Sequence, residues 1–492
     1  MQYLSTRDSA LRVSAQEAIV RGLAPQSGLF VPETFPQADL DAWKNLSYSE
    51  LAEKVLAGFL TDYSADFLHT ATASTYGAAF GGKAGETVKV RDGLYSLELW
   101  HGPTCAFKDY ALQLMPKLLV EAKKMLGRTE TTRILVATSG DTGKAALAGY
   151  ADLDGIEIEV FYPNDGTSEI QHLQMATQKG ENVQVYAVQG NFDDAQTGVK
   201  KVFADADVAA ELEKRGIRLS SANSINWGRL VPQIVYYFYA YFRLAEQGAV
   251  EWGKPVDFCV PTGNFGDILA GYYAKQMGLP VGRLVCASNK NNVLTDFLRT
   301  GTYDARRTFY KTTSPSMDIL ISSNLERLLY HVSGSSEKVA GWMQELSATG
   351  KYTVDAETLA KIQQSFAAGY ADDADGAAEI KARFDGDHYL CDTHTAVAVK
   401  VYRDYVAQTG DDLPTVIDST ASPYKFSKSV LTAVLEGNTP QLDEFDMVEE
   451  LHRVTGAAVP APLAALKDKA VRFTQVCDRE NMSQMVFQLL NL

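Results

Sequence analysis

A lysine at the start of a predicted helix is the first candidate for chemistry. Residues 101–113 follow an apolar strand, turn at Gly102 and Pro103, and have a helical pattern from Lys108 onward. The positive end of a helix dipole disfavours a charged ammonium at that point, and the apolar Phe107 adds to the effect. The uncharged amine is the form that attacks an aldehyde. The pattern is consistent with a nucleophilic Lys108, although an ordinary surface lysine is what composition alone favours.

Residues 138–143, Thr-Ser-Gly-Asp-Thr-Gly, lie between a predicted strand and a predicted helix. Hydroxyls and backbone N–H groups at a helix N-terminus bind anions, so a carboxylate or a phosphate is the expected ligand. A plain strand-to-helix turn is the alternative. A nucleotide-binding P-loop is disfavoured, because Thr138 stands where its first glycine belongs and Ala145 where it needs Ser or Thr.

Two later segments could complete a ligand site. Residues 261–267, Pro-Thr-Gly-Asn-Phe-Gly-Asp, again join a strand to a helix, and Gly263 and Gly266 permit close backbone approach. We interpret this loop as a second anion site, with phosphate as the expected ligand. Residues 418–426 follow an apolar run with small hydroxyl side chains that could meet a ring nitrogen, or could form an ordinary polar turn.

The elements that must position these segments are short apolar runs alternating with helical patterns. Such alternation predicts an α/β fold with parallel sheets, helices on both faces, and ligands at the carboxyl ends of the strands. Residues 353–387, which have a helical pattern, and residues 438–446 look like surface insertions. The predicted strands include residues 133–137, 156–162, 183–188, 256–260, 284–287 and 415–417.

Composition narrows the class of protein. The 492 residues carry a net charge of −15, which repels nucleic acids and anionic membranes, so an anionic ligand needs a local site. The five scattered cysteines form neither a disulfide framework nor a zinc pattern, and the seven histidines lack metal spacing. We therefore expect a cytoplasmic protein with no metal. Its N-terminus has no signal-peptide pattern, and the apolar residues 230–242 are too few to span a membrane.

The order of these motifs resembles the pyridoxal-phosphate (PLP) enzymes of fold type II, and within them the longer branch of the threonine synthase family. The resemblance runs from about residue 1 to about residue 435. It departs from the family pattern at Asp8 and at Ser422. The segments that carry it are residues 3–7, 22–24, 28–33, 101–113, 139–143, 223–229, 263–267, 288–292 and 392–396.

The resemblance implies a fold and a reaction. The fold has two main domains with largely parallel twisted sheets flanked by helices, and PLP lies in the cleft between them. We place a smaller domain at 96–228 and a large PLP-phosphate domain at 229–492, with residues 1–95 packing on the large domain. The reaction converts O-phospho-L-homoserine and water to L-threonine and phosphate, through a PLP external aldimine, γ-elimination of phosphate and β-addition of water.

The resemblance also implies residue roles. Lys108 would be the catalytic Schiff-base lysine. Asp141 would lie near the 3′-oxygen of PLP, where we expect it to be protonated or turned away. Lys144, Arg229 and Lys425 are candidates for the substrate phosphate. The implied cofactor-binding residues are Phe107, Asp141, Gly263, Asn264, Phe265, Gly266, Asp267 and Thr420, and the implied substrate-binding residues are Thr104, Thr138, Ser139, Thr142 and Lys144.

Three alternatives remain at this stage. One is another PLP-dependent amino-acid lyase, such as a serine or threonine dehydratase, which needs no second phosphate site. Another is a non-catalytic protein that binds a phospho-ligand on the same scaffold. The third is an unrelated α/β enzyme with chance motifs. The expected partner is a small-molecule substrate, with no nucleic acid and no membrane, for a monomer or a homodimer.

Overall fold

The computed structural model describes residues 1–164 and 167–488, whose strands form two large sheets and two small ones. The strands are β1 Tyr3–Ser5, β2 Asp8–Val13, β3 Phe30–Pro32, β4 Glu86–Arg91, β5 Leu94–Glu98, β6 Thr131–Ala137, β7 Ile156–Pro163, β8 Val183–Gln189, β9 Ile217–Ser221, β10 Val256–Pro261, β11 Val281–Ser288, β12 Thr302–Asp304, β13 Lys351–Thr353, β14 Phe366–Tyr370, β15 Thr415–Ser419 and β16 Val476–Asp478.

Helices surround the two large sheets. They are α1 Ala15–Arg21, α2 Leu40–Trp43, α3 Tyr48–Phe59, α4 Ala65–Tyr76, α5 Asp109–Leu112, α6 Met115–Met125, α7 Asp141–Tyr150, α8 Glu169–Ala176, α9 Phe192–Ala204, α10 Ala206–Lys214, α11 Trp227–Leu230, α12 Ile234–Glu246, α13 Gly266–Gln276, α14 Val293–Thr300, α15 Leu325–Ser333, α16 Ser336–Thr349, α17 Ala356–Ser365, α18 Asp373–Asp387, α19 Thr393–Thr409, α20 Ser427–Val434, α21 Glu444–Thr455, α22 Ala461–Ala464 and α23 Met482–Gln488.

The larger sheet has six strands in the order β14-β11-β10-β15-β5-β4. Every pairing in it is parallel except the hairpin of β4 with β5. All six residues of β10, Val-Asp-Phe-Cys-Val-Pro, are buried, as expected for a central strand covered by helices on both faces. The carboxyl ends of β10 and β15 therefore lie side by side, and the loops that follow them meet.

The second sheet has five strands in the order β16-β8-β7-β6-β9, and all of its pairings are parallel. Its strand β6 ends at Ala137, directly before the predicted anion loop at 138–143. The two large, mainly parallel sheets flanked by helices confirm the predicted α/β fold class.

Helix α12 is a buried helix, with apolar side chains on nearly all of its faces. Its segment Ile-Val-Tyr-Tyr-Phe-Tyr-Ala-Tyr-Phe buries all but one of its side chains, Tyr239 being half-buried. A helix of this kind needs packing partners on every face. It packs against α3 and α13 and so helps to hold α13 in place.

Sheet membership differs from the predicted segments at three places. Residues 353–387 are not a surface insertion, because β14 within them pairs in parallel with β11 as the edge of the larger sheet. Strand β5 belongs to the larger sheet, and β16, near the end of the chain, joins the second sheet. The predicted domain boundaries, at 1–95, 96–228 and 229–492, stay a prediction. Residues 489–492 lie outside the described residues.

Over the described part of the chain, every helix is either too short or too polar to cross a bilayer. All five cysteines are buried free thiols. Within the same residues, no group of three or more His, Cys, Asp or Glu side chains is arranged to hold a metal ion.

Candidate active site

A cavity of about 440 Å³ lies where strands from the two large sheets end. Its wall includes Ala137 at the end of β6, Pro261 at the end of β10 and Thr420 directly after β15. Ligands bind at the carboxyl ends of strands in open parallel sheets, so this is the position where a site is expected.

Lys108 projects from a short loop that is held in place by the segment following β15 of the larger sheet. The backbone N–H of Phe107 donates to the carbonyl of Thr420 at 2.8 Å, and the N–H of Ser422 donates to the carbonyl of Cys105 at 3.1 Å. Cys105 itself has a left-handed backbone with φ of 59°, which is uncommon for a residue with a side chain. These constraints fix Lys108 directly before α5.

The Lys108 amine is almost enclosed, with 11 % of its side chain exposed. Its Nζ lies 4.5 Å from the centre of the Phe107 ring and 3.8 Å from Oδ2 of Asp141. Burial lowers the pKa of Lys108 to about 8, although the negative charge of Asp141 opposes that effect. The unprotonated, nucleophilic form is therefore more accessible near neutral pH than it is for an ordinary lysine.

The loop at 138–143 forms a helix N-terminus that faces the cavity. Oγ1 of Thr138 accepts the N–H groups of Gly140 and Gly143, both at 2.9 Å, which closes the turn into α7. Gly140 has φ of 140°, and a Cβ there would lie 2.5 Å from the Gln171 side chain. Ser139 and Thr142 line the cavity beside this turn, as expected for an anion site.

Asp141 is the acidic residue of this turn, and its carboxylate lines the cavity between two lysines. Its Oδ1 pairs with Nζ of Lys425 at 2.7 Å and accepts Nε2 of Gln171 at 2.9 Å. Burial alone would raise the pKa of Asp141, but the charges of Lys425 and Lys108 outweigh burial and hold that pKa well below its usual range. The expectation of a protonated Asp141 is therefore not supported, because Lys108 and Lys425 both face its carboxylate.

The loop at 263–267 forms a cradle with the properties that a phosphate requires. Phe265 has a left-handed backbone with φ of 65°, and no described side chain caps the first turn of α13 behind it. The carbonyl of Gly263 accepts the Ser322 hydroxyl at 2.7 Å, and that of Asn264 accepts the Asn324 amide at 3.0 Å. The carbonyls are therefore tied back, while the uncapped N–H groups of the helix start remain for an anion.

Close packing explains why the cradle needs glycine. A Cβ on Gly263 would lie 2.5 Å from the backbone oxygen of Ser316, so a larger residue would displace the loop. This tight backbone and the uncapped helix start fit the phosphate of PLP, and Lys108 on the facing wall fits its aldehyde. The residues present therefore fit the expected cofactor.

Asp267 follows the cradle, and its carboxylate is held by tyrosines of α12. Its Oδ1 accepts hydroxyls from Tyr236 and, at 3.0 Å, from Tyr237. Burial raises the pKa of Asp267 to about 6 and raises that of the neighbouring, fully buried Asp418 well above its usual range. Among the described residues, both oxygens of Asp418 and Oδ2 of Asp267 lack a hydrogen-bond partner, and the two carboxyl groups titrate together, as a pair that shares a proton does.

Arg229 supplies a positive charge to the cavity wall without a carboxylate partner among the described residues. Its guanidinium is 97 % buried, Nη1 donates to the carbonyl of Ala222, and Nε has no partner. Burial lowers the pKa of Arg229 to about 10. Because a buried, unpaired cation is costly, this position favours an anionic ligand.

Most residues predicted for the site meet in this cavity, but three do not line it. Thr104 donates its N–H and its hydroxyl to Asp109, at 2.8 and 2.7 Å. The amines of Lys144 and Lys425 bind Gln178 and Asp141 respectively. The predicted residues on the wall are Phe107, Lys108, Thr138, Ser139, Asp141, Thr142, Gly263, Asn264, Phe265, Gly266, Asp267, Thr420 and Arg229.

Sequence analysis gave no role to several residues of the wall. Residues 223–229 and 392–396 carried the family resemblance, which could have drawn attention to Asn223, Ser224 and His394. No sequence signal marks residues 315–321 or one face of α9, because loops and helix faces reach the cavity only through tertiary packing. The α9 residues on the wall are Phe192, Gln196 and Lys200.

Family models match nearly all of the chain. The model described as threonine synthase N terminus matches residues 2–76, that of pyridoxal-phosphate dependent enzymes matches residues 84–410, and that of the threonine synthase C-terminal region matches residues 395–486. The middle match alone covers more than half of the chain and includes Lys108 and both anion loops.

Individual relatives agree with the family models. Threonine synthase of Pseudomonas aeruginosa is 38 % identical over 474 residues, which is 95 % of this chain and 97 % of the relative. Human threonine synthase-like 1 is 40 % identical over 455 residues, which is 88 % of this chain but only 60 % of that longer protein. The crystal structure of PLP-bound threonine synthase from Brucella melitensis superimposes with a TM-score of 0.87 at 36 % identity, covering 99 % of both chains. The chain therefore belongs to the threonine synthase family of pyridoxal-phosphate-dependent enzymes.

Proposed function

We propose that the protein is a threonine synthase, which converts O-phospho-L-homoserine and water to L-threonine and phosphate. The observation that carries this proposal is one cavity with an enclosed amine and three separate anion-binding features. The amine is Lys108, and the features are the start of α7, the cradle at 263–267 and the unpaired Arg229. PLP and a phosphorylated amino acid together carry three anionic groups, one for each feature. These are the phosphate of PLP and the carboxylate and phosphate of the amino acid.

The chain's own groups divide the binding work as follows. The cradle at 263–267 would hold the phosphate of PLP, with Phe107, Asp267 and Thr420 as the other residues of the wall that would contact the cofactor. The N–H groups and hydroxyls of Thr138, Ser139 and Thr142 hold the substrate carboxylate. When bound, PLP supplies the electron sink that makes the α-proton of an amino acid acidic.

Arg229 is the strongest candidate for the substrate phosphate. Its guanidinium is buried in the wall and lacks an acid partner in the described residues, whereas Lys144 and Lys425 turn their amines away from the cavity. Asn223 and Ser224 lie on the same wall and add hydrogen-bonding groups. A guanidinium matches phosphate geometry with two parallel hydrogen bonds, so it holds the group that must leave.

Lys108 is the group placed to move protons. Its amine would carry the cofactor, and when free it would be placed to take the α-proton of the substrate and to return a proton. A base with a pKa near 8 can do both near neutral pH. The low solvent exposure of the amine keeps bulk water from competing for that proton.

A serine or threonine dehydratase is the second candidate, because it would use the same lysine and the same two loops. It leaves Arg229 without a ligand, since its substrates carry no phosphate. Full-length protein loaded with PLP should release threonine and phosphate in equal amounts from O-phosphohomoserine, with little 2-oxo acid from serine or threonine. Formation of 2-oxo acid without phosphate release would contradict the proposal and support the dehydratase.

Assembly and location remain proposals of the same kind. We retain a monomer or a homodimer, which light scattering of the purified protein would distinguish. A cytoplasmic location is supported by the five buried free thiols, since reducing compartments favour unpaired cysteines.

A further inference from the structure

Lys425 is a fully buried lysine that lies behind the cavity wall. Its Nζ donates to the carbonyl of Thr104 at 3.0 Å and pairs with Oδ1 of Asp141 at 2.7 Å. It is 0 % exposed and does not line the cavity, so it has no path to the substrate phosphate for which the sequence made it a candidate. A buried ammonium is costly unless it is paired. The role of Lys425 should therefore be sought in its pair with Asp141.

The pair extends to Lys108 through the second oxygen of the same carboxylate. Oδ2 of Asp141 lies 3.8 Å from the Lys108 amine, while Oδ1 is occupied by Lys425 and by the amide of Gln171. The three charged groups therefore form a row in the order Lys108, Asp141 and Lys425. Lys108 and Asp141 line the cavity, and Lys425 lies behind them. The carboxylate cannot rotate without losing both of its Oδ1 partners.

We infer that Lys425 is a positioning residue that keeps Asp141 ionised, aims its second oxygen at Lys108, and thereby sets how tightly the Lys108 amine holds a proton. The inference rests on the proposed function only for the part that Lys108 plays in catalysis. The row of charges and its effect on the amine exist without substrate.

The sign of each effect follows from the charges that face Lys108. Asp141 and Asp267 favour the ammonium form, whereas Lys425 and Arg229 disfavour it, in addition to burial. Without Lys425, the full charge of Asp141 would act on Lys108 alone, and the ammonium would release its proton less readily. With Lys425 present, the amine can both accept and return a proton close to neutral pH.

The test measures the amine directly in full-length protein from which PLP has been removed. The rate of Lys108 modification by an amine-reactive reagent is followed against pH and quantified on its peptide by mass spectrometry, since only the neutral amine reacts. We expect Lys425→Met to raise the midpoint, and Asp141→Asn to lower it, each by on the order of one pH unit. Lys425→Arg keeps the charge and should leave the midpoint close to that of the wild type.

Lys123 offers a matched control. It is also a buried lysine, and its Nζ donates to the carbonyls of Glu130 and Gly155 and to the Thr132 hydroxyl, away from the cavity. Lys123→Met should leave the Lys108 midpoint unchanged even where it lowers the melting temperature. An equal rise in Lys123→Met and Lys425→Met would show a general loss of packing and would overturn the inference.

The remaining outcomes are also decisive. An unchanged or lowered midpoint in Lys425→Met contradicts the inference. If that variant does not fold, Asp141→Asn decides in its place, and an unchanged or raised midpoint there has the same consequence. Because no substrate is present, these results are independent of whether the enzyme releases phosphate from O-phosphohomoserine.

Discussion

At the scale of single residues, ionisation in this site follows from partners rather than from residue type. The pKa of Asp141 is lowered because two lysines face it, whereas the pKa of Asp267 is raised because burial outweighs the hydrogen bonds that its two tyrosines donate. The sequence identified Lys108 because helix position and neighbours are local features. The state of Asp141 was not predictable, since Lys425 lies 284 positions along the chain and meets Asp141 only through the fold.

Arg229 carries the most direct prediction at this scale. Arg229→Gln keeps a polar side chain but shortens it and removes the charge, so kcat/KM for O-phosphohomoserine should fall by about 100-fold, as for loss of a buried charged contact. Inhibition by inorganic phosphate should weaken in parallel, while PLP affinity stays close to that of the wild type.

The contrary result is equally clear. Unchanged phosphate inhibition in Arg229→Gln would exclude the guanidinium as the phosphate ligand and return attention to Asn223 and Ser224. Arg133→Gln is a suitable control, because Arg133 is a fully buried guanidinium that pairs with Glu157 outside the cavity. Its kinetic constants should not change.

At the scale of elements, the strands that precede anion loops were predictable and the cavity wall opposite them was not. Short apolar runs such as Val256–Pro261 stand out because a buried parallel strand is mostly apolar, Asp257 being the exception in this one. Strand β14 was missed because its segment, Phe-Ala-Ala-Gly-Tyr, lies between two helices, the second of them rich in Ala and Asp, and has little strand character. Its place is fixed by pairing with β11, which is tertiary information.

The carboxyl pair between α13 and β15 makes the stability of the fold depend on pH. The pKa of Asp267 is raised to about 6, so the native state binds a proton that the unfolded chain releases at a lower pH. This stabilisation is complete below about pH 4, the ordinary carboxyl pKa, and is lost as pH rises through about 6. Asp418 extends the loss to higher pH, since its pKa is raised further.

Asp418→Asn tests this linkage. An asparagine amide donates to Asp267 without needing a shared proton, so the melting temperature of the variant should fall less than that of the wild type between pH 5 and pH 8. Parallel melting curves for the two proteins over that range would show that the pair does not share a proton.

At the scale of the whole molecule, charge and topology explain how an acidic protein binds anions. The chain carries a net charge of −15, yet Lys108 and Arg229 line the cavity. The N-termini of α7 and α13 also face it. The total charge predicted that anions need a local site, but not which cations form it. Alternating apolar runs and helical patterns predicted the α/β class, and the motif order over more than 300 residues carried the resemblance to the family.

The segment boundaries were the least predictable feature at this scale. Strand β16 returns from the end of the chain to pair with β8, and the carbonyl of Val486 in α23 accepts from the buried Arg133. Nothing local to residues 476–488 indicates which sheet they join. The decisive information is the complementary edge of β8 and the apolar surface of α9, which exist only after folding.

One measurement tests the central claim most directly. The absorbance spectrum of full-length wild type should show a band near roughly 410–420 nm, typical of a lysine-bound PLP. Lys108→Ala should lack that band and release no phosphate from O-phosphohomoserine, while the wild type forms threonine and phosphate together. A wild type with no band after addition of PLP, or an Lys108→Ala variant that keeps both band and phosphate release, would contradict the account.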